Sequence, residues 1–558
     1  MKVSLARSVV LSSSLLVMLT SVSGFAANML VNPGLETADS AGWAAWGFGW
    51  RLGSASDAYS GAFGLVDDVL PSDPPSESWR GFNQNFPISS GEVFTPSAYI
   101  RAVAIESSEA WLEVQFLNAA NAVLSQYQSV HVTADQPFTP ATVNSVTSPP
   151  NAVTISVRAI VHMSAPPTND PDFFIFDDFQ LHGSLSATDR TYLKKVASDT
   201  WSWINMRVST NGLPYDDDRR TELTSVTDIG MYLSSVVMAR DFGFISSNSA
   251  VSKLQKTINS VKKLQTWYGF QQCWNSVKTL KPGTGDTWVS IVDSGLLAAG
   301  LITVGQAFPQ FRNDCDQLVN AMDWSAFYDP DRQLVRGGYN TATGQFGANW
   351  YLDYLGADSR MADFIAIGAG DIPATSWDAL NRDQELWYAI SYFMPGWVGG
   401  GLFMQYMPGL WLDETNTVMG LSAARFAQAQ VSHWKINNYP VWGWSACASP
   451  SSGYLGWGSL QDDVVTPHAC VLALGDMPVH TVANLRKLET YGARHESRGF
   501  YDSVEWDTPA VAKNMLMLDQ GMLLLSIGDY LNQTNARTWF ARSPIATNAY
   551  NLISDFQP

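Results

Sequence analysis

Six short stretches set an aspartate among apolar, aromatic or glycine residues where a helix would begin. They are Asp228 in SVTDIGMYL, Asp293 in WVSIVDSGLL, Asp358 in YLGADSRMADFIAIGAGDIP, Asp462 and Asp463 in LQDDVVTPHA, Asp502 in RGFYDSVEW and Asp519 in MLMLDQGMLL. Two carboxyl groups flanking an acetal can break it: one protonates the departing oxygen, and the other activates water or attacks the anomeric carbon. An aspartate at a helix start also stabilises that helix by ~1 kcal/mol as a cap, which would explain Asp228 and Asp358 without chemistry. Arg360 stands two residues beyond Asp358 and could fix that carboxylate or a sugar hydroxyl. If Asp358 capped a helix, the macrodipole would favour its ionised form. A proton donor needs the opposite push, from burial or from a carboxylate such as Asp353 or Asp363.

Flat aromatic rings are the natural floor for sugar C–H faces. Trp288, Trp350, Tyr351, Trp397, Trp442, Trp444 and Trp457 lie beside glycines or acids in expected loops, where they either line sugar subsites or fill a core. The chain has 22 Trp and 12% aromatic residues but only 15% charged residues, a balance suited to neutral sugars. Its formal charge of -18, from 33 Lys+Arg against 51 Asp+Glu, repels phosphate backbones and argues against nucleic acid as a partner. His433, His468 and His495 lack metal-ligand spacing, the glycines of GWVGGGLF lack the strand and lysine of a phosphate loop, and no G-x-S-x-G elbow occurs. The cysteines, Cys273, Cys315, Cys447 and Cys470, lack zinc spacing; an oxidising compartment would allow one or two disulfides, first of all within the 273/315 and 447/470 pairs, and the spacing leaves their connectivity open.

Those residues must be carried by two kinds of element. Residues 1–27 put Lys2 and Arg7 before an apolar run ending in small residues, as a secretory signal does, so the remainder is expected to be secreted or periplasmic, without a membrane span. From 28 to 184, runs such as WLEVQFL, VTISVRAIV and FFIFDDFQLHG alternate apolar and polar residues between turn clusters, which predicts an all-β sandwich. From 185 to 558 the apolar spacing becomes three-and-four, as in TDIGMYLSSVVMARDFG and IVDSGLLAAGLITVGQAF, and eleven or twelve helices are expected. Helix pairs in that number commonly close into an (α/α)6 barrel with a central cleft; an α-solenoid is the alternative, although no fixed repeat occurs.

The N-terminal MLVNPGLE, GWAAWGFGW and IFDDFQL resemble jelly-roll carbohydrate-binding modules. That resemblance implies a structural calcium between the first and last strands, held by Glu36 and Asp178, and a sugar platform from Trp43, Trp46, Trp50 or Trp79; no cofactor for catalysis is implied. SVTDIGMYLSSVVMARDFGFIS, WVSIVDSGLLAAGL, YLGADSRMADFIAIGAGDIP, GLFMQYMPGLWLDET, VWGWSA, QDDVVTPHA, GFYDS and MLDQGMLLLSI resemble, in this order, the transglycosylation domain of cyclic β-1,2-glucan synthases and the glycoamylase-like proteins that include endo-β-1,2-glucanases. This resemblance implies an (α/α)6 barrel acting on β-glucan, with Asp358 where relatives carry a catalytic glutamate. Asp293 falls on the aspartate of their S-T-V-D-S motif, Asp502 on the acid of G-F-Y-D/E, and Asp519 on a structural aspartate of I-D-Q-G. Asp228 and the loop aromatics are expected to bind substrate. One departure matters. Where synthase-like relatives have M-F-E-Y-L-M-P, LFMQYMP puts Met404 and Gln405, and methionine carries no proton. A retaining route through that position is therefore disfavoured, and the expectation is a monomeric, endo-acting β-1,2-glucanase that inverts, with Asp358 as acid and Asp502 or Asp293 as partner. The alternatives are a hydrolase or transglycosylase on another glucan or exopolysaccharide, and a non-catalytic glucan-binding protein.

Overall fold

The computed structural model describes residues 27–396, 400–451, 453–455 and 463–557. The leader, Trp397, Trp457 and Asp462 lie outside the described residues. Eleven strands come first: β1 Ala44–Trp46, β2 Trp50–Leu52, β3 Leu65–Val69, β4 Ser78–Pro87, β5 Val93–Val103, β6 Ser108–Leu117, β7 Val123–Gln128, β8 Gln136–Thr142, β9 Val146–Thr147, β10 Thr154–Met163 and β11 Asp172–Ser184. They form two antiparallel sheets, in the orders β1-β4-β10-β6-β7 and β2-β3-β11-β5-β8, with β9 added to β5. The alternation is visible in β10, where Ile155, Val157, Ala159 and Val161 are wholly buried while Thr154, Arg158 and His162 face outward. Such period-two burial is what a half-solvated sheet requires. Trp43 belongs to this core: it stacks on Phe82 and its indole N–H donates to the carbonyls of Val31 and Asn32. Trp50 also packs inward, against Phe82 and Phe176.

The corner expected to hold calcium is closed by hydrogen bonds. Both Glu36 oxygens accept from the Ala62 amide, Asp178 accepts from the Ser60 hydroxyl, and the buried Asp177 carboxylate accepts from the amides of Tyr59, Ser60 and Asp178. Asp178 sits in a bulge of β11 at φ 46. Calcium takes six to eight oxygens, and Glu36 and Asp178 join no third ligand side chain in a convergent cluster among the described residues. Nothing below is built on an ion there.

Fourteen α-helices follow among the described residues. In chain order they are α1 Ala187–Met206, α2 Val226–Asp241, α3 Ser247–Val261, α4 Ile291–Ala307, α5 Arg312–Asn320, α6 Arg360–Ala369 and α7 Thr375–Asp378. Then come α8 Leu402–Tyr406, α9 Val418–Ile436, α10 Pro467–Leu472, α11 Pro478–Glu489, α12 Met517–Leu531, α13 Ala536–Phe540 and α14 Pro544–Leu552. Helix α2 is buried on every side from Val226 to Ala239, and α4 and α12 are nearly so, whereas α3 buries only one stripe. All-round burial marks an inner helix, and a single stripe an outer one.

The inner helices run side by side. Gly230 of α2 meets the backbone of Leu296 in α4 so closely that a Cβ would stand 2.3 Å from the Leu296 oxygen; only glycine permits this approach. Thr227 reaches Asp293 at one end of the pair and Arg240 reaches the Ala307 carbonyl at the other, so α2 and α4 are parallel. Gly521 and Gly528 of α12 lie in turn against Met231 and Met238 of α2, again in parallel order. Gly295 of α4 abuts Ala362 of α6, Arg360 of α6 donates to the Met404 and Gln405 carbonyls of α8, and α10 packs against both α8 and α12. The path α12-α2-α4-α6-α8-α10 therefore returns to its start. The strand region lies against this helical region through α9 and α11: His480 bonds to the Met29 carbonyl and Lys435 donates to the Asn85 carbonyl. No described helix is long and apolar enough to cross a membrane.

Candidate active site

Parallel inner helices bring their N-termini to one end, and the acids come with them. Ser225 caps α2 and Asp228 completes a capping box: the Ser225 hydroxyl accepts from the Asp228 amide at 3.0 Å, and Asp228 accepts from the Ser225 amide at 2.8 Å. Ser290 caps α4, with Asp293 at the same third position, and Asp519 holds that position in α12. In α6 the cap is Ser359, so Asp358 stands one residue outside the helix and is not the cap.

Asp358 and Asp293 face each other electrostatically. Burial pushes the Asp358 carboxyl up to about 7, the negative charge of Asp293 adds to the push, and the opposing pulls of Arg360 and nearby backbone N–H groups are weaker. The neighbour that raises Asp358 is thus Asp293, not Asp353 or Asp363. Asp363 is buried on its own, bonded to Ser376 and pushed to about 8 by burial. Asp293 is half-buried and accepts from Thr227 Oγ1 at 2.6 Å and from the Cys273 thiol at 3.6 Å. Of the aspartates at the starts of α2, α4, α6 and α12, Asp358 and Asp293 keep part of their surface open, whereas Asp228, Asp363 and Asp519 are covered.

A second acid pair lies across α2. Asp502, 1% exposed, accepts from the Ala448 amide and shares a hydrogen bond with Asp519. Burial raises Asp502 to about 6 and raises Asp519 well above the usual carboxylate range, with the charge of Asp502 adding to the latter. His468 Nδ1 lies 3.5 Å from Asp519 and 2.8 Å from the Thr466 hydroxyl, and burial lowers this imidazole to about 3, so it is neutral. Ligand atoms of His468, Asp502 and Asp519 lie within 4.8 Å of one another.

The sequence reasoning passed over Asp216 and Asp217, in PYDDDRR between α1 and α2. Asp216 is raised to about 6 by burial and by Asp217, and its charge raises both Asp228 and Asp519. Asp217 accepts from Asn514, whose carbonyl receives the Asp502 amide. Three successive acids followed by two arginines, just before a capped apolar helix, were the available signal.

Several expected ligands are structural. Arg360 is 0% exposed; it grips Glu414 with Nε and Nη2 at 2.7 Å each and gives its remaining donors to the carbonyls of Leu355, Ala357, Met404 and Gln405. With five donors in use, it cannot hold a sugar or pair with Asp358. Trp442 and Trp444 are 0% and 1% exposed, so they are core and not subsite rings. Asp228 is likewise covered, and its carboxyl holds its own helix. Tyr351 has committed its hydroxyl to Asp329 at 2.8 Å. Trp288 and Trp350 remain open, meeting edge to face at 5.6 Å on the strand segment that leads directly into α4 and Asp293. No disulfide forms: Cys273, Cys315, Cys447 and Cys470 are free, and Cys273 spends its thiol on Asp293. Met404, where the resemblance would imply a glutamate, is buried.

With this geometry in hand, comparison finds likenesses of the helical region to known proteins. The glycoamylase family model ("Putative glucoamylase") matches residues 354–539, and the model of a family of unknown function, DUF3131, matches residues 195–344. The helical region thus resembles the glycoamylase-like and cyclic β-1,2-glucan synthase group. A curated relative is the cyclic β-(1,2)-glucan synthase NdvB of Rhizobium meliloti, 22% identical over 66% of this chain; the chain spans 18% of that protein's length. Among solved structures, β-1,2-glucanase from Parabacteroides distasonis superposes with a TM-score of 0.59 at 12% identity, over 95% of this chain and 99% of its own. Endo-β-1,2-glucanase from Chitinophaga pinensis, solved with sophorotriose and glucose, does so with 0.59 at 16% identity, over 66% of this chain and 98% of its own. These likenesses establish a shared fold.

Proposed function

We propose that the protein is an exported glycoside hydrolase that cuts β-glucan, most specifically β-1,2-glucan, from within the chain and with inversion. The closed path of inner helices is an (α/α)6 barrel, the strand region is a jelly roll, and the acid-bearing helix N-termini form the floor of the cleft. One observation carries the mechanism: a carboxyl raised to about 7, Asp358, faces the half-open carboxylate of Asp293. At pH 6 Asp358 holds a proton and gives it to the glycosidic oxygen as that bond breaks. Asp293, steadied by Thr227 and Cys273, takes a proton from the water that attacks the anomeric carbon from the opposite face. One bond to carbon breaks, one forms, and the configuration inverts. Trp288 and Trp350 offer stacking surfaces beside Asp293. The Parabacteroides distasonis β-1,2-glucanase, which superposes over 95% of this chain, supports this substrate class.

The likeness to a synthase favours a second outcome, transfer of the glycosyl group to another sugar. Met404 weighs against it, because the acid that relatives carry there is absent. The test is incubation with linear β-1,2-glucan, with reducing ends and product lengths followed together. New reducing ends of inverted configuration by NMR, abolished in Asp358→Asn, support hydrolysis. Longer or cyclic products support transfer, and neither product would refute both.

A further inference from the structure

We propose that His468, Asp502 and Asp519 hold one divalent metal ion, zinc, which ties together three separate segments of the helical region. His468 stands in the first turn of α10, Asp519 in the first turn of α12, and Asp502 in the bend before the strand Ser503–Glu505. Their ligand atoms converge within 4.8 Å, and none of the three residues is more than 4% exposed. The Thr466 hydroxyl donates to the Asp502 carbonyl at 2.6 Å, so toward His468, 2.8 Å away, it presents a lone pair and accepts from Nδ1–H. The imidazole, neutral through burial, then carries its own lone pair on Nε2, and that atom is buried without a partner.

The carboxyls show the same want. Asp502 Oδ1 and Asp519 Oδ2 receive no N–H or hydroxyl from any other described residue, and an enclosed carboxyl oxygen left so is unfavourable. Either a proton shared between the two acids or a cation would answer it. The surroundings favour the cation. Asp216 and Asp228 add their negative charge to that of Asp502 on Asp519, and Asp217 adds its own on Asp502, against which Arg219 pulls. A shared proton removes one negative charge and leaves Nε2 unmet. A divalent ion balances both carboxylates and takes the imidazole lone pair as well. One imidazole beside two carboxylates suits zinc, whereas calcium and magnesium take oxygen ligands. An outer shell is in place: Asp502 Oδ2 accepts from the Ala448 amide, and Thr466 joins the imidazole to the Asp502 backbone. With all three ligands enclosed, the ion is structural, pinning α10 to α12 and both to the turn that carries Asp502. The proposal does not depend on hydrolysis.

The test uses the full chain, stripped with a chelator and then dialysed against zinc, calcium or magnesium. Bound metal is counted by plasma mass spectrometry, Tm is followed with each ion and with chelator alone, and zinc X-ray absorption reports the ligands. Expected are one zinc per chain, a Tm raised by about 3–5 °C at a hundredfold excess over Kd, and nitrogen and oxygen neighbours at ~2.0–2.2 Å. His468→Gln should weaken Kd at least tenfold. The pair Glu505→Gln and Asp507→Asn, which dismantles the more exposed acid cluster around Asp463, should leave it within twofold. No retained zinc together with a Tm indifferent to zinc and chelator would overturn the proposal and leave a proton between the carboxyls. So would retention of calcium or magnesium but not zinc, sulfur at ~2.3 Å from the ion, or zinc bound by His468→Gln as by wild type. Metal count and absorption need no variant, so a misfolded His468→Gln does not shield the proposal, and none of these readings draws on turnover of glucan.

Discussion

Asp358→Asn should stabilise the protein at high pH while removing its activity. The Asp358 carboxyl lies at about 7 in the folded chain, against an ordinary 3.8, so the folded state holds the proton more tightly than the unfolded one. For an acid raised in this sense, stability falls as pH climbs from about 4 to about 7, because ionisation is easier once the chain unfolds. Roughly three pK units at 1.36 kcal/mol each would make about 4 kcal/mol for a fully enclosed group. Asp358 keeps part of its surface open, and screening reduces this to about 2 kcal/mol. Asparagine has no such titration. The variant's advantage over wild type should therefore grow by about 2 kcal/mol between pH 4 and pH 8, or about 2–3 °C in Tm for a helical region of some 370 residues. Differential scanning fluorimetry at the two pH values measures it. In parallel, turnover of β-1,2-glucan should fall ~10²–10⁴-fold, and wild-type kcat/KM should decline with an alkaline limb near pH 7. A stability difference that is the same at both pH values, or that shrinks as pH rises, would refute the account of Asp358 as a buried proton reservoir. An active Asp358→Asn would refute its role as acid.

Replacing Asp293 by Asn removes the facing charge, so the Asp358 carboxyl should titrate about one unit lower, read by carboxyl carbon NMR; an unmoved titration would separate the two residues. Glu414→Ala strands the fully buried Arg360, at a cost of ~3–5 kcal/mol, and should lower the urea midpoint sharply or abolish soluble expression; a midpoint equal to wild type would contradict the bidentate pair. Denatured without reductant, the chain should present four reactive thiols to a thiol reagent, and reductant should leave the Tm unchanged; fewer thiols would reinstate a disulfide.

Much of the scaffold was legible because its signals are local. The alternation of VTISVRAIV is the burial pattern of β10, and S-x-x-D at Ser225 and Ser290 is the start of α2 and α4. Long-range matters were hidden. Arg360 stands two residues from Asp358, yet its fork closes on Glu414, 54 positions later, and no local rule announces that. Trp442 and Trp444 flank a glycine as loop rings do, but Gly443, at φ 117, lets the chain bend so that both indoles are buried. Cys447 and Cys470 are close in sequence and each is buried among different neighbours; proximity along the chain said nothing about sulfur geometry.

The acids sort into roles by how firmly each is tied to its own helix. Every inner-helix N-terminus presents unsatisfied N–H groups and a partial positive charge, which hold a carboxylate ionised and still. Asp228 is held in place by its capping box, although burial and the charge of Asp216 raise its carboxyl, and Asp519 shares a hydrogen bond with Asp502. Asp358 lies one residue beyond the cap, where the dipole reaches it weakly and burial with the charge of Asp293 outweighs it. Asp293 is held by a hydroxyl and a thiol that leave an oxygen lone pair for water. A carboxyl that holds up a helix cannot also release and recover a proton without loosening that helix, so chemistry falls to the two acids whose removal leaves the caps intact. Ser359 makes no side-chain cap bond, so Ser359→Ala should leave Tm and turnover near their wild-type values, and a loss of turnover in that variant would show that the helix start and the acid act as one.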